Sequence, residues 1–224
     1  MKKLWITGWT IALLATQQLM GATITTTSTG FNGGLNGGEF SSVTSANGTF
    51  ITFCLEETEY FYLGHQYTYE LSGAAIRGSY NHDLSTPGMD ILSQGSAYLY
   101  ALFATGTLAG YDADHNANAG NLQNALWALE DEKSYADAGG GGANPYITLV
   151  ENAFGTFANA QLDYSGSSVK VVNVYDLSNS DGLSGSYGIY RQDFLIYVPD
   201  GGFTIFLFGM ALSGVAIVSR RLRH

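Results

Sequence analysis

The run Asn121-Leu122-Gln123-Asn124-Ala125-Leu126-Trp127-Ala128-Leu129 decides how the chain reads. Leu122, Ala125, Leu126 and Leu129 fall at i, i+3, i+4 and i+7, the one-sided stripe of an amphipathic helix. Asn121 is the expected cap, and the helix is expected to reach about Lys133. A helix before it is expected from Ile91 to Ala104, capped by Asp90, with Leu92, Leu99 and Phe103 on one face. Between the two, Asp112 to Gly120 reads as a polar loop. After a flexible break at Gly139 to Gly142, Pro145 opens a third helix, to about Ala160. Strand character flanks this helical section. Phe50 to Leu55 is aromatic and β-branched, and Tyr60-Phe61-Tyr62 and Tyr67-Thr68-Tyr69 continue it around a turn at Gly64. Val169 to Tyr175 and Gly188 to Val198 read as two late, paired strands. Thr23 to Gly48 is rich in Thr, Ser, Gly and Asn and reads as a surface segment or a weakly registered edge strand. The fold class is α+β: strands early and late, helices between.

Both ends read as addresses. Residues 1–22 form a signal peptide: Lys2 and Lys3, an apolar run from Leu4 to Leu14, and small residues at Gly21 and Ala22. At the other end stands Val198-Pro199-Asp200-Gly201-Gly202, followed by the uncharged segment 203–219 and by Arg220, Arg221 and Arg223 in the tail 220–224. An apolar helix of that length is about the minimum for a bilayer crossing, and the arginines hold the tail in the cytoplasm. The body, residues 23–197, therefore lies outside. Taken whole, the 224 residues carry a formal charge of −10. Eighteen of the nineteen acidic residues but only four of the nine basic ones (Arg77, Lys133, Lys170 and Arg191) lie in the body. Such a surface repels anionic polymers, and no nucleic-acid partner is expected. The chain's single cysteine, Cys54, excludes a disulfide framework and a Cys-rich zinc site.

The C-terminal arrangement resembles the PEP-CTERM sorting signals of bacteria, and their VPDSG variant most closely, with Gly201 where that variant has serine. The resemblance covers residues 198–224. It implies an exosortase-type processing enzyme as partner, membrane attachment through the C-terminal helix before processing, and a final place at the cell surface or in its extracellular matrix.

An exported, unpaired Cys54 reads as a buried small hydrophobe, as half of an intermolecular disulfide, or as a nucleophile needing a base among His65, His82 and His115. A fourth reading comes from its neighbours. Phe53-Cys54-Leu55-Glu56, followed downstream by Gln123 with Ala125 and Trp127, resembles the thioester (TQxA) domains of Gram-positive surface adhesins; Leu122 stands where those domains have threonine. The resemblance spans roughly residues 50–132. It implies that the Cys54 thiol and the Gln123 carboxamide condense to an internal thioester with loss of ammonia, which then captures an amine on a protein or polysaccharide target. Such a bond reacts once per molecule, so the protein is not an enzyme and catalytic residues are not expected. A thioester needs protection from water, for which Phe53, Tyr60, Phe61, Tyr98 and Trp127 are the expected aromatic cover. The alternative is a non-catalytic structural or carbohydrate-binding protein associated with exopolysaccharide, its cysteine inert.

Two further patterns are weaker. Asp112, Asp114, Asn116 and Asn118 alternate like calcium ligands. Ala117, however, stands where an EF-hand has glycine and Gln123 where it has the bidentate glutamate, so no cofactor is required and a polar loop is the preferred reading. Glu56, Glu57 and Glu59 form an acidic run that reads as solvated turn residues rather than a glycosidase pair.

Overall fold

The computed structural model describes residues 22–35, 37–76, 89–178 and 189–199. Apart from Ala22, the signal peptide lies outside them. So do His82, Asp200, Gly201, Gly202, the apolar segment 203–219 and Arg220, Arg221 and Arg223. Among the described residues no helix is long and apolar enough to cross a membrane.

Six antiparallel strands form the main sheet: β1 (Thr23–Ser28), β2 (Phe40–Thr44), β3 (Gly48–Thr52), β4 (Gln66–Ser72), β7 (Val169–Tyr175) and β8 (Tyr190–Tyr197). Their order is β3-β2-β1-β4-β7-β8, and β5 (Ala74–Ile76) pairs separately with β6 (Met89–Ile91). The two outer strands do not stay open. Past the end of β3, Cys54 bridges Phe194 in antiparallel sense, and the Leu55 N–H donates to the Asp193 carbonyl at 2.9 Å. The Thr52 hydroxyl donates to the Leu195 carbonyl at 2.6 Å and accepts from the Leu195 N–H at 3.0 Å. The sheet thus curls until its edges meet, which removes the unpaired groups an edge would present.

The helices α1 (Gln94–Ala104), α2 (His115–Leu129), α3 (Pro145–Phe154) and α4 (Phe157–Ala160) come between β6 and β7 in the chain. Mixed strands and helices make the class α+β, as the sequence predicts. Alternation along the strand segment splits two cores. Phe53 and Leu55 join Leu99, Leu122, Leu126 and Ile147 on the helical side. Cys54 joins Trp127, Phe194, Val172 and Ile24 within the curl.

Several expectations are corrected. Ser93, not Asp90, caps α1 by accepting from the Ser96 N–H at 3.1 Å; Asp90 lies in β6. The expected polar loop from Asp112 is a 3₁₀ turn (Tyr111–Asp114) running into α2, which Asp114 rather than Asn121 caps. The third helix is two, interrupted where Gly155 turns to φ 83° and Thr156 caps α4. Tyr60-Phe61-Tyr62 is irregular chain, not strand. The segment read as an edge holds β1 and β2, both interior strands, while β3 and β8 are the outer ones. Val169–Tyr175 and the strand after it do pair, with a register shift between Val172 and Val174.

That irregularity leaves Asn173 and Val174 to satisfy a buried carboxylate. Asp193 accepts from the Ile76 N–H at 2.7 Å, the Val174 N–H at 3.1 Å and the Asn173 amide at 3.0 Å, joining β5, β7 and β8. Burial nevertheless pushes Asp193 up to about 7, and likewise Glu130, which Ser93 holds, to about 7 and Asp90 to about 6. Each keeps a proton in the folded state that the unfolded chain releases. Below the ordinary carboxylate range both states are protonated and no penalty arises. From there to about pH 7 the folded state binds more protons, so stability falls as pH rises. The full chain is expected to melt several degrees higher at about pH 5 than at about pH 8, measured by circular dichroism; an equal or higher Tm at about pH 8 would contradict this account.

Candidate functional site

Gln123 lies in the middle of α2 and is fully buried. A buried carboxamide needs partners for an acceptor and two donors. Its Oε1 accepts two backbone N–H groups, from Cys54 and from Gly38, each at 3.0 Å. Its Nε2 donates to the Cys54 carbonyl at 2.7 Å. Cys54 and Gln123, 69 positions apart, are therefore side by side. The pair of N–H donors on one carbonyl oxygen is the arrangement that stabilises negative charge developing there when a nucleophile adds to the carbon.

The Gly38 donor comes from a loop over the site, residues 29–39, which the sequence reading missed. The loop is fastened at both ends. The Asn116 side-chain oxygen accepts from the Asn32 and Gly33 N–H groups at 3.0 and 3.1 Å. At Gly33 the loop backbone lies against Gly120 of α2, so closely that a Cβ on Gly33 would stand 2.7 Å from the Gly120 Cα. At the far end Glu39 receives the Tyr111 hydroxyl and pairs with His115 Nε2, both at 2.7 Å, while Phe31 stacks on the His115 ring at 4.0 Å. The signal was present in Gly33-Gly34 and Gly37-Gly38, since paired glycines mark close backbone approach.

Trp127, one turn beyond Gln123, packs over Gly37. Together with Cys54, Tyr60, Phe61, Gln192 and the carboxylates of Glu56, Glu57 and Glu59 it lines a cavity of about 100 Å³. Of the expected aromatic cover, Tyr60, Phe61 and Trp127 are at the cavity. Phe53 instead meets Phe103 edge-on in the helical core, and Tyr98 meets Phe154. Leu55 and Ala125 are also core residues. The acidic run is not a solvated turn: Glu56 is fully buried and Glu59 nearly so, and only Glu57, ion-paired to Lys133 at 2.8 Å, is substantially exposed. Burial, and then the nearby Glu59 charge, push the Cys54 thiol well above its ordinary value. The sulfur is therefore a neutral thiol, and its reaction needs a proton acceptor.

The other candidates have different tasks. His115 is held by Glu39, and the His65 ring lies against Tyr67. Asn116 fastens the loop, Asn118 donates to the Gly110 and Tyr111 carbonyls, Asp114 caps α2, and Asp112 is in the 3₁₀ turn. Among the described residues no group of three or more His, Cys, Asp or Glu is arranged to hold a metal ion.

Comparison with known proteins bears on the tail. The VPDSG-CTERM motif family matches residues 197–222. The tail is thus a sorting signal of the exosortase-processed PEP-CTERM type, which marks a protein exported to the cell surface. The chain has no match among curated proteins or solved structures.

Gly37 tests the packing. A Cβ there would stand 2.6 Å from a Trp127 ring carbon and 3.1 Å from the Gln123 carboxamide carbon. Gly37→Ala is expected to cost about 1–3 kcal/mol, as overpacking does. Denaturant unfolding followed by Trp127, the body's only tryptophan, would show it as a lower midpoint; an unchanged midpoint would contradict the close packing.

Proposed function

We propose that this is a surface adhesion protein that attaches covalently, once per molecule, through an internal thioester between Cys54 Sγ and Gln123 Cδ. The observation that carries the reading is the fixed carboxamide of Gln123, with two N–H donors on its oxygen and its nitrogen tied to Cys54 itself. Addition of sulfur to Cδ would put charge on the oxygen that those donors face, and departure of Nε2 as ammonia would leave the thioester. The burial of both Cys54 and Gln123 beside a small cavity with aromatic lining supports it further, since a stored electrophile must be kept from water. The target would be an amine on a surface protein or polysaccharide. In the same proposal the apolar segment 203–219 anchors the body in the membrane until an exosortase-type enzyme acts at residues 198–202.

Intact mass measurement of the full chain tests the bond. The wild type is expected to lack one ammonia and to gain one methylamine on treatment with that amine; Cys54→Ala and Gln123→Ala are expected to have the mass of the uncondensed chain. A full-mass wild type with freely alkylatable Cys54 would instead select the non-catalytic matrix protein with an inert cysteine. The tail is tested on surface fractions, where mature chains should end before Phe203. Chains that extend beyond Arg220 would mean a permanent anchor.

A further inference from the structure

Glu56 is fully buried, and neither of its carboxylate oxygens receives an N–H or hydroxyl donor. A buried carboxyl without such donors costs stability, so its presence calls for another explanation. It lines the same small cavity as Cys54, next to Trp127, whose buried indole N–H also lacks an acceptor.

The chemistry at the pair requires a proton carrier. Joining Sγ of Cys54 to Cδ of Gln123 breaks the Cδ–Nε2 bond. Sulfur loses one proton, the departing nitrogen gains one as ammonia, and nothing is oxidised or reduced. Opening by an amine runs the other way, with the amine nitrogen losing a proton and sulfur regaining one. The thiol is held neutral, so its proton must pass to a base as the bond forms. Resting on the thioester reading above, we propose that Glu56 is the group that carries this proton between the Cys54 sulfur and the nitrogen that leaves or attacks.

Its neighbours fit that role less well. Glu57 is committed to Lys133. Glu132 accepts the Glu57 N–H at 3.2 Å. Glu59 also lines the cavity and its charge acts on the thiol, but Glu56 stands two positions from Cys54, on the same side of the extended segment. Glu56 faces Glu132, Glu59 and Asp193. Burial first, then the charge and carboxyl contact of Glu132, then the other two charges, keep its proton on well above the ordinary carboxylate range. Such a carboxyl is an acid while it holds its proton and a base once it has released it, which suits transfer in either direction. A cavity of about 100 Å³ also has room for a water to relay it where the carboxyl does not reach directly.

The test compares the full-length wild type with Glu56→Gln, which keeps the shape but carries no transferable proton. The variant is expected to melt no lower than wild type at about pH 8, and to form the thioester at least about tenfold more slowly, read as the fraction lacking ammonia against time after refolding. A purely structural role predicts a lower Tm. Formation at the wild-type rate in a folded Glu56→Gln overturns the assignment. A second measurement uses wild type alone. Its opening rate with methylamine, corrected for the free-base fraction, should rise with pH as Glu56 loses its proton, and the rise should lie above the ordinary carboxylate range. A flat profile overturns the assignment even if the variant fails to fold. If wild type itself carries its full mass, the thioester reading falls and this one with it; if wild type lacks ammonia and Glu56→Gln matches it, only the role of Glu56 falls.

Discussion

The carboxamide of Gln123 is the point at which three distant parts of the chain are joined. It belongs to α2, accepts from the loop through Gly38, and exchanges two hydrogen bonds with Cys54 at the seam of the sheet. In the uncondensed chain its burial makes each of these bonds compulsory: losing one there leaves a polar group unsatisfied at a cost of about 1–3 kcal/mol. The arrangement also depends on the sheet's closure. Without the bridge from Cys54 to Phe194 the segment after β3 would have no fixed course, and nothing would present the Cys54 N–H and carbonyl to the helix.

Apolar periodicity made part of the fold legible in the sequence. The stripe of α2 and the paired late strands could be read because their buried faces are apolar. β1 and β2 were misread because theirs are partly polar: Thr26 and Ser42 are buried facing one another, hydroxyl to hydroxyl at 2.8 Å. A buried face of threonine and serine looks like a surface in composition. Caps were misjudged for a related reason. Asp114 and Asn121 are both competent caps, and the helix starts at Asp114, whose side chain accepts from the Ala117 N–H at 3.3 Å. The approach of Cys54 to Gln123 was legible only through a resemblance between two short motifs. Burial of Glu56 and Glu59 was not legible at all, because it depends on Trp127 and Gln192 arriving from other parts of the chain.

The electrostatics of the site bear on how a lone thiol persists outside the cell. A thiolate is the form that oxidises and exchanges with disulfides. Burial and the Glu59 charge keep Cys54 protonated, so the surroundings that would slow the proposed reaction with Gln123 also protect the thiol from oxidants. What distinguishes the two reactions is position. An oxidant must reach a buried sulfur from outside, whereas the Gln123 carboxamide is already hydrogen-bonded to the Cys54 backbone. A site of this kind favours the intramolecular partner by proximity rather than by a more reactive sulfur.

The sorting motif, too, is continuous with the fold. β8 ends at Tyr197, and the next residue, Val198, opens the motif. Val198 is not on a free tether: its N–H donates to the Ser168 carbonyl at 2.7 Å, and its side chain packs on the core that contains Cys54 and Phe194. No linker of the usual glycine- or proline-rich kind separates the strand from the sorting motif. If the proposed cut falls after Val198, it falls directly against the end of a sheet strand. It leaves the β7–β8 pairing and the seam at Cys54 intact, because every backbone bond that holds them lies before the cut.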